Sequence, residues 1–298
     1  MAPVHWIGGK GNMTAKLLPL LPAGRIYVEP YCGAASMFWH LPKPRPVEVL
    51  NDLDGEIVNL FRVLQDRKKF SEFSHRLTWT PYAFDEYCKA LKMKNGNGNG
   101  HSDVDRAWAF FVRQNQGFGG MATGPGSWGR AFNGPRDMAG TCGSWRSRMA
   151  TLDWWHERLT RVQIDHKDAL EIIQYWDGED TVHYIDPPYV SDARVTKSVY
   201  ANETDDAHHK KLVEVLLNLK GQAMLSGYDT PIYKPLEKAG WVVKKFQTVC
   251  HAAGRTRGSG LQGTGTCKDK VPRIEVAWIK RWEYVERQAK KLSLGRSV

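Results

Sequence analysis

The sequence has few cysteines and no long apolar run. Its five cysteines among 298 residues include no Cys-x-x-Cys pair, and the adjacent His208 and His209 have no evident third ligand. This pattern argues against a disulfide framework or a metal site and is typical of a reducing compartment. No apolar stretch approaches the ~20 residues of a membrane span, and the first residues form no signal peptide. We therefore expect a cytoplasmic protein with neither a membrane nor a metal partner.

Acidic residues are also in deficit. The chain has 32 Asp and Glu against 42 Lys and Arg, a formal net charge of +10. Such an excess favours a polyanionic partner, most commonly nucleic acid, although charge that only maintains solubility would look the same. The length suggests one large domain or a domain with an insertion.

The most informative segment is Asp186-Pro187-Pro188-Tyr189, which follows the apolar residues of 181–185. Two prolines remove two backbone donors and cannot continue an inner strand, so the chain must leave the sheet here. Asp186 supplies a carboxylate, Pro187 a carbonyl and Tyr189 an aromatic face. Together they could hold the amine of a flat heterocycle. The alternative is an ordinary turn that ends a strand and buries its tyrosine.

The order of elements predicts an α/β fold. Before residue 66 we expect strands at 25–29 and 46–50, a helix from Met37 and a helix over 53–65. After residue 160 we expect strands at 161–164, 181–185 and 222–226 and helices at 169–175 and 205–220. An antiparallel pair of strands at 241–248 and 274–280 is expected to close the sheet. Alternating strands and helices imply a doubly wound, mostly parallel sheet. A glycine turn at Gly33 and an acid at Asp52, about 20 residues later, have the spacing of a nucleotide-binding α/β unit.

Residues 66–160 interrupt this alternation. Helices are expected at 81–93 and 103–114, separated by the low-complexity stretch 94–100, and a glycine-rich stretch follows from Gly117 to Gly143. We interpret 66–160 as an inserted subdomain, mainly helical with a hairpin.

Several motifs in this order resemble the Dam-type (D12 class) family of DNA adenine methyltransferases. The resemblance is carried by Trp6-Ile7-Gly8-Gly9-Lys10, 29–36 (Glu-Pro-Tyr-Cys-Gly-Ala-Ala-Ser), Asn51-Asp52 and Asp186-Pro187-Pro188-Tyr189, and more weakly by 113–118 and 225–228. It implies a Rossmann-like, seven-stranded methyltransferase sheet. It also implies a catalytic domain at 1–65 and 161–298, a target-recognition insert at 66–160, and transfer of a methyl group from S-adenosylmethionine to adenine N6.

The resemblance also implies roles for single residues. The expected cofactor contacts are Trp6, Lys10, Tyr31, Gly33, Asp52, Asp168 and Asp186, with Lys10 near the methionine carboxylate and Asp52 accepting from the ribose hydroxyls. An ordinary helix cap explains Asp168 equally well. One position departs from the family pattern, because Ala35 stands where a second glycine is common.

The catalytic group is expected to be Asp186, Pro187, Pro188 and Tyr189, acting on an adenine extruded from the duplex. Base reading is expected from the insert, through Arg113, Asn115, Gln116 and Arg130, and phosphate contacts from Arg255, Arg257 and Lys268. Any of these polar residues could instead be ordinary surface.

The expected partner is double-stranded DNA, bound by a monomer or weak dimer of bacterial or phage type. Two other functions use the same residues. An RNA adenine or protein glutamine methyltransferase also handles a planar amine, and a catalytically silent nucleic-acid-binding protein could keep the fold. The intact Asp186–Tyr189 segment favours an enzyme, and the large insert and basic charge argue against a protein substrate.

Overall fold

The computed structural model describes residues 1–6, 8–95, 100–120, 124–131, 134, 137–188, 206–249 and 272–281. The strands are β1 (Ile26–Glu29), β2 (Val47–Asn51), β3 (Gln163–Asp165), β4 (Thr181–Ile185), β5 (Gln222–Tyr228), β6 (Val242–Val249) and β7 (Pro272–Lys280). The α-helices are α1 (Thr14–Leu17), α2 (Ser36–Trp39), α3 (Gly55–Gln65), α4 (Arg67–Thr78), α5 (Phe84–Asn95), α6 (Asp103–Gln116), α7 (Gly140–Met149), α8 (Leu152–Leu159), α9 (Ala169–Tyr175), α10 (Asp206–Leu217) and α11 (Lys234–Lys238).

Seven strands of the described residues form one sheet, in the order β3-β2-β1-β4-β5-β7-β6. β2 and β3 pair in parallel, and β4 pairs in parallel with both β1 and β5. β7 runs antiparallel to β5 and β6. The predicted mostly parallel α/β sheet and its antiparallel closing pair are thus confirmed.

Within the described part of the chain, one compact unit gathers Met1–Thr14 and Tyr31–Ala169. We call it the first unit. Its core is built around α6, whose start is fixed by reciprocal hydrogen bonds between Ser102 and Asp105. Helices α3, α4 and α5 all pack on α6. Because α6 has neighbours on several sides, apolar residues are buried around most of its circumference: Val104, Ala107, Trp108, Ala109, Phe110, Phe111 and Val112.

The second unit gathers Ala15–Pro30 and, among the described residues that follow, 170–188, 206–249 and 272–281. All five residues of β4 are buried, as expected of an inner parallel strand covered on both faces. β4 ends at Ile185, directly before the two prolines, so the predicted exit of the chain from the sheet occurs where the sequence places it.

The segment expected to be an insert is largely helical where it is described, with α6 beginning at the predicted Asp103 and α5 beginning at Phe84 rather than at residue 81. Of the expected hairpin, the described residues show an isolated antiparallel bridge between Gly117 and Trp128. Residues 96–99 of the low-complexity stretch lie outside the described residues. The division into a catalytic domain and a recognition insert concerns roles and stays a prediction.

Candidate active site

The glycine turn that follows β1 is held in a conformation that requires glycine at Gly33. Its φ is +47°, in the left-handed region. The indole of Trp6 lies against it, so an added Cβ would be only 2.5 Å from Trp6 Nε1. Backbone and packing therefore both exclude a side chain at this position.

Gly33→Ala is expected to lower the free energy of unfolding by about 2 kcal/mol or more. A left-handed alanine costs about 1–2 kcal/mol, and the Trp6 ring must also move. The measurement is urea denaturation of the full chain. The matched control is Gly143→Ala, because Gly143 lies inside α7 and an added Cβ there would have nothing within 4 Å. This control variant should raise the free energy of unfolding by up to about 1 kcal/mol. Equal losses in both variants would contradict the assigned cause.

Ala35 also adopts a left-handed conformation, with φ 55° and ψ 44°, although it is not glycine. The backbone cost of about 1–2 kcal/mol is offset by a fully buried methyl, worth about 0.8 kcal/mol. Alanine also loses less chain entropy than glycine, about 0.4–1 kcal/mol. Because these contributions nearly cancel, the chain keeps the turn without a glycine at position 35.

Asp52 links this turn to the end of β2. Its Oδ2 accepts from the Gly33 N–H at 2.7 Å and its Oδ1 from the Asp54 N–H at 2.9 Å. Burial raises the pKa of the Asp52 carboxyl to about 6, opposed by the N–H groups of Asp54 and Gly33. Each oxygen has a second lone pair, so the carboxylate can also accept from hydroxyl groups of a ligand.

Asn51 connects the same region to the turn after β3. Its side-chain amide donates to the Lys167 carbonyl at 3.0 Å and accepts from the Lys167 N–H at 2.9 Å. Asp168 follows and lies directly before α9, where a helix cap would stand. The turns after β2 and β3 are therefore tied together by one buried amide.

The other predicted cofactor residues of the first unit lie near its amino terminus or in the glycine turn. Trp6 is partly buried and meets Phe110 edge to face at 6.4 Å between centroids. Lys10 is buried and begins a short 3₁₀ turn that packs against α2. Tyr31 opens the glycine turn and is partly buried. The structure therefore brings Trp6 into contact with Gly33, and Gly33 into contact with Asp52.

In the second unit, Asp186, Pro187 and Pro188 follow β4. Pro187 is buried, and Asp186 and Pro188 are partly buried. Asp186 Oδ1 accepts a hydrogen bond from the Ser226 hydroxyl at 3.0 Å. The Tyr184 hydroxyl lies 3.0 Å from Ser226 Oγ. A carboxylate next to a proline carbonyl thus lies at the end of a buried strand.

Two of the predicted base-reading residues lie in the interior of the first unit. Arg113 is 2% exposed, pairs with Glu56 and donates to the Ala90 carbonyl at 3.2 Å. Gln116 is fully buried and donates to the Pro81 carbonyl at 3.0 Å. Bases are read by groups at a surface, so this placement does not fit the predicted contacts. The physical reason is the central position of α6, which turns its polar side chains into internal hydrogen-bonding groups.

The remaining predicted DNA contacts differ in their placement. Asn115 is partly buried and donates to the Pro3 carbonyl at 3.0 Å. Arg130 is exposed, with its guanidinium carbon 4.8 Å from the centre of the Trp128 ring. Tyr189, Arg255, Arg257 and Lys268 lie outside the described residues.

Neither a metal site nor a membrane span is found in the part of the chain that the structure describes. No group of three or more His, Cys, Asp or Glu side chains there could hold a metal ion. No helix of that part is both long and apolar enough to cross a membrane.

Sequence reasoning gave no role to Ser226, Tyr184 or Asn51. Ser226 contacts the Asp186 carboxylate and Tyr184 contacts Ser226. Both contacts depend on the register in which β4 and β5 pair. A serine among the apolar residues of β5 was the available signal. In the sequence Asn51 stands out only as the residue before Asp52, and its partner Lys167 lies 116 positions away.

Comparison with known proteins identifies a family for most of the chain. Residues 6–249 match the family model of the D12 class N6 adenine-specific DNA methyltransferases. A DNA N-6-adenine-methyltransferase of Escherichia phage P1 is 25% identical over 118 residues. These residues are 39% of this chain but 15% of the phage protein, so the chain matches only a small part of that relative. A structure of a precorrin 8W decarboxylase from Methanobacterium thermoautotrophicum aligns with 90% of this chain and with 88% of its own chain, at 10% sequence identity. The TM-score of this alignment is 0.33, which is too low to indicate a shared fold.

Proposed function

We propose a reaction for this chain from one premise: it belongs to the D12 class N6 adenine-specific DNA methyltransferase family. The proposed reaction transfers a methyl group from S-adenosylmethionine to the exocyclic N6 amine of an adenine in DNA. Because that amine is stacked and paired in a duplex, the base must be flipped out, at a cost of a few kcal/mol.

The observation that carries the proposal is the Asp186-Pro187 pair at the end of β4. The partly buried Asp186 carboxylate has one oxygen fixed by Ser226. A carboxylate and a carbonyl can each accept one hydrogen of an aromatic amine. A nitrogen held in this way becomes more pyramidal, and its lone pair is less delocalised into the ring.

These two acceptors should act mainly on the transition state. Positive charge develops on the amine nitrogen as its lone pair forms the new N–C bond and the S–C bond breaks. The attraction of the Asp186 carboxylate and the Pro187 carbonyl grows with that charge, so they stabilise the transition state more than the bound amine. The nitrogen then loses a proton, to Asp186 or to water. Alignment of the amine with the methyl group supplies a further several kcal/mol.

The first unit contains groups that fit S-adenosylmethionine, which when bound supplies an electrophilic methyl on a sulfonium. Asp52 keeps acceptor capacity for two hydroxyls, beside a glycine turn whose backbone carries no side chain at Gly33. The buried Lys10 would neutralise a carboxylate. Trp6, Tyr31 and Asp168 are proposed to complete the contacts.

Cofactor affinity is expected to fall as the pH drops below about 6, by up to about tenfold at pH 5. The pKa of Asp52 is raised to about 6, and only its ionised form accepts from both ribose hydroxyls. Affinity falls with falling pH because acid protonates the Asp52 carboxylate and so removes an acceptor for the ribose hydroxyls. Calorimetric titration between pH 5 and 8 measures it. Asp52→Asn should bind more weakly with a flat pH response; a retained slope would assign the titration to another group.

DNA would be held by basic residues and an aromatic stack. Arg130 is the exposed candidate among the described residues of the insert. Tyr189 is proposed to stack on the extruded adenine, and Arg255, Arg257 and Lys268 to contact phosphates. Arg113 and Gln116 are not part of this proposal, because both are buried.

A substrate comparison tests the proposed function. The full chain is incubated with labelled S-adenosylmethionine and, separately, duplex DNA of random sequence, RNA of matching sequence, and a glutamine-containing protein. Incorporation into DNA alone is the expected result. Preferential labelling of RNA or protein would replace the proposed substrate. Binding of DNA without labelling any substrate would indicate a catalytically silent protein.

A further inference from the structure

The Asp186 carboxylate is hydrogen-bonded to a buried serine on the neighbouring strand. Ser226 Oγ lies 3.0 Å from Asp186 Oδ1, and Ser226 is fully buried. Since β4 and β5 are parallel with Ile185 opposite Leu225, the next residues along the two strands are Asp186 and Ser226. The contact therefore follows from the register of the two strands.

Tyr184 supplies a second hydroxyl to the same cluster. Its Oη lies 3.0 Å from Ser226 Oγ, and its side chain is buried. An ionised carboxylate only accepts hydrogen bonds, so the single hydroxyl hydrogen of Ser226 goes to Asp186. Ser226 Oγ then accepts from Tyr184. The order of donation is Tyr184 to Ser226 to Asp186.

Among the described residues, the Ile185 carbonyl is a further possible acceptor for the Ser226 hydroxyl, at 3.5 Å. That distance is beyond the usual range for an O–H···O hydrogen bond, whereas the 3.0 Å to Asp186 is within it. The buried serine is thus satisfied mainly by the carboxylate. Its bond constrains the side chain that the proposed reaction needs in one orientation.

We propose that Ser226 is a positioning residue for methyl transfer, which holds the Asp186 carboxylate in the orientation that accepts the amine hydrogen. Tyr184 in turn orients the Ser226 hydroxyl. This inference rests on the proposed function and extends it to Ser226 and Tyr184, which are both buried.

Ser226→Ala is expected to lower the single-turnover rate of methyl transfer by about 10–100-fold, by analogy with the loss seen when the hydrogen-bonding partner of a metal ligand is removed. The dissociation constants for cofactor and DNA should stay within about twofold. Tyr184→Phe should cost less, about threefold to tenfold, because Ser226 can still donate to Asp186. Ser226→Thr keeps the hydroxyl and should recover most of the rate.

The double variant Ser226→Ala with Tyr184→Phe separates positioning from a loss of stability. If Tyr184 acts through Ser226, the double variant should be no slower than Ser226→Ala alone. The matched control is Thr181→Val, which removes a buried hydroxyl of β4 that donates to the Trp176 carbonyl at 2.7 Å. It should lower the melting temperature without changing the rate.

The outcomes distinguish this inference from the proposed function. If the wild-type chain methylates DNA and Ser226→Ala does so at the same rate, the positioning role is wrong while the function stands. Equal slowing in Thr181→Val, or additive losses in the double variant, would also overturn it. If the wild-type chain methylates no DNA, the proposed function itself fails.

Discussion

Asp186→Ala is expected to lower the rate of DNA methylation by about 10³-fold or more, while affinity for S-adenosylmethionine changes far less. The variant removes the carboxylate that accepts an amine hydrogen, and loss of one transition-state hydrogen bond in a preorganised site costs about 10²–10³ in rate. Orientation of the amine is lost together with it. Single-turnover transfer of labelled methyl groups, with cofactor binding measured by calorimetry, gives both quantities.

The control for this variant is Asp229→Ala in the same unit. Asp229 is exposed and forms an ion pair with Lys245 at 2.5 Å, so its loss should change stability by no more than about 1 kcal/mol and leave the rate unaltered. Near-normal turnover of Asp186→Ala would remove the proposed mechanism. Equal losses of rate in both variants would point to damage to the fold.

Asp52→Ala is expected to weaken binding of S-adenosylmethionine by more than about 100-fold. Hydrogen bonds to a charged group contribute about 1.5–3 kcal/mol each, and two ribose hydroxyls would lose their acceptor. The loss should be larger than two hydroxyls alone explain, because Asp52 also accepts from the Gly33 N–H and so fixes the glycine turn. At saturating cofactor, the rate of transfer should return to within about tenfold of wild type.

Asp66→Ala is the matched control for Asp52→Ala. Asp66 caps α4 and accepts from the Lys68 and Lys69 N–H groups, so its loss should cost about 1 kcal/mol of stability. Cofactor affinity should be unaffected. A titration of Asp52→Ala that matches wild type would show that this carboxylate does not bind the ribose.

Much of the fold follows from local sequence pattern. Apolar periodicity predicted α3 and α10, and the two prolines after Ile185 predicted where β4 ends. These signals are local, because a helix stripe or a proline acts within a few residues. The glycine turn and Asp52 were also found from spacing, although the sequence does not reveal the direct hydrogen bond between Gly33 and Asp52.

The contacts that sequence reasoning missed depend on tertiary packing. The sequence predicts that Arg113 reads bases from the insert. Its partner Glu56, however, lies 57 positions away along the chain, and the packing around α6 buries both Arg113 and Gln116. Ser226 is 40 positions from Asp186, and only the register of β4 and β5 joins them. The left-handed backbone at Ala35 was similarly invisible, because its residue type gives no sign of it.

The most direct measurement of the central claim is mass spectrometry of nucleosides from duplex DNA treated with the full chain and deuterium-labelled S-adenosylmethionine. We expect labelled N6-methyladenine with the wild-type chain and none above background with Asp186→Ala. Label on cytosine, or equal N6-methyladenine from both proteins, would contradict it.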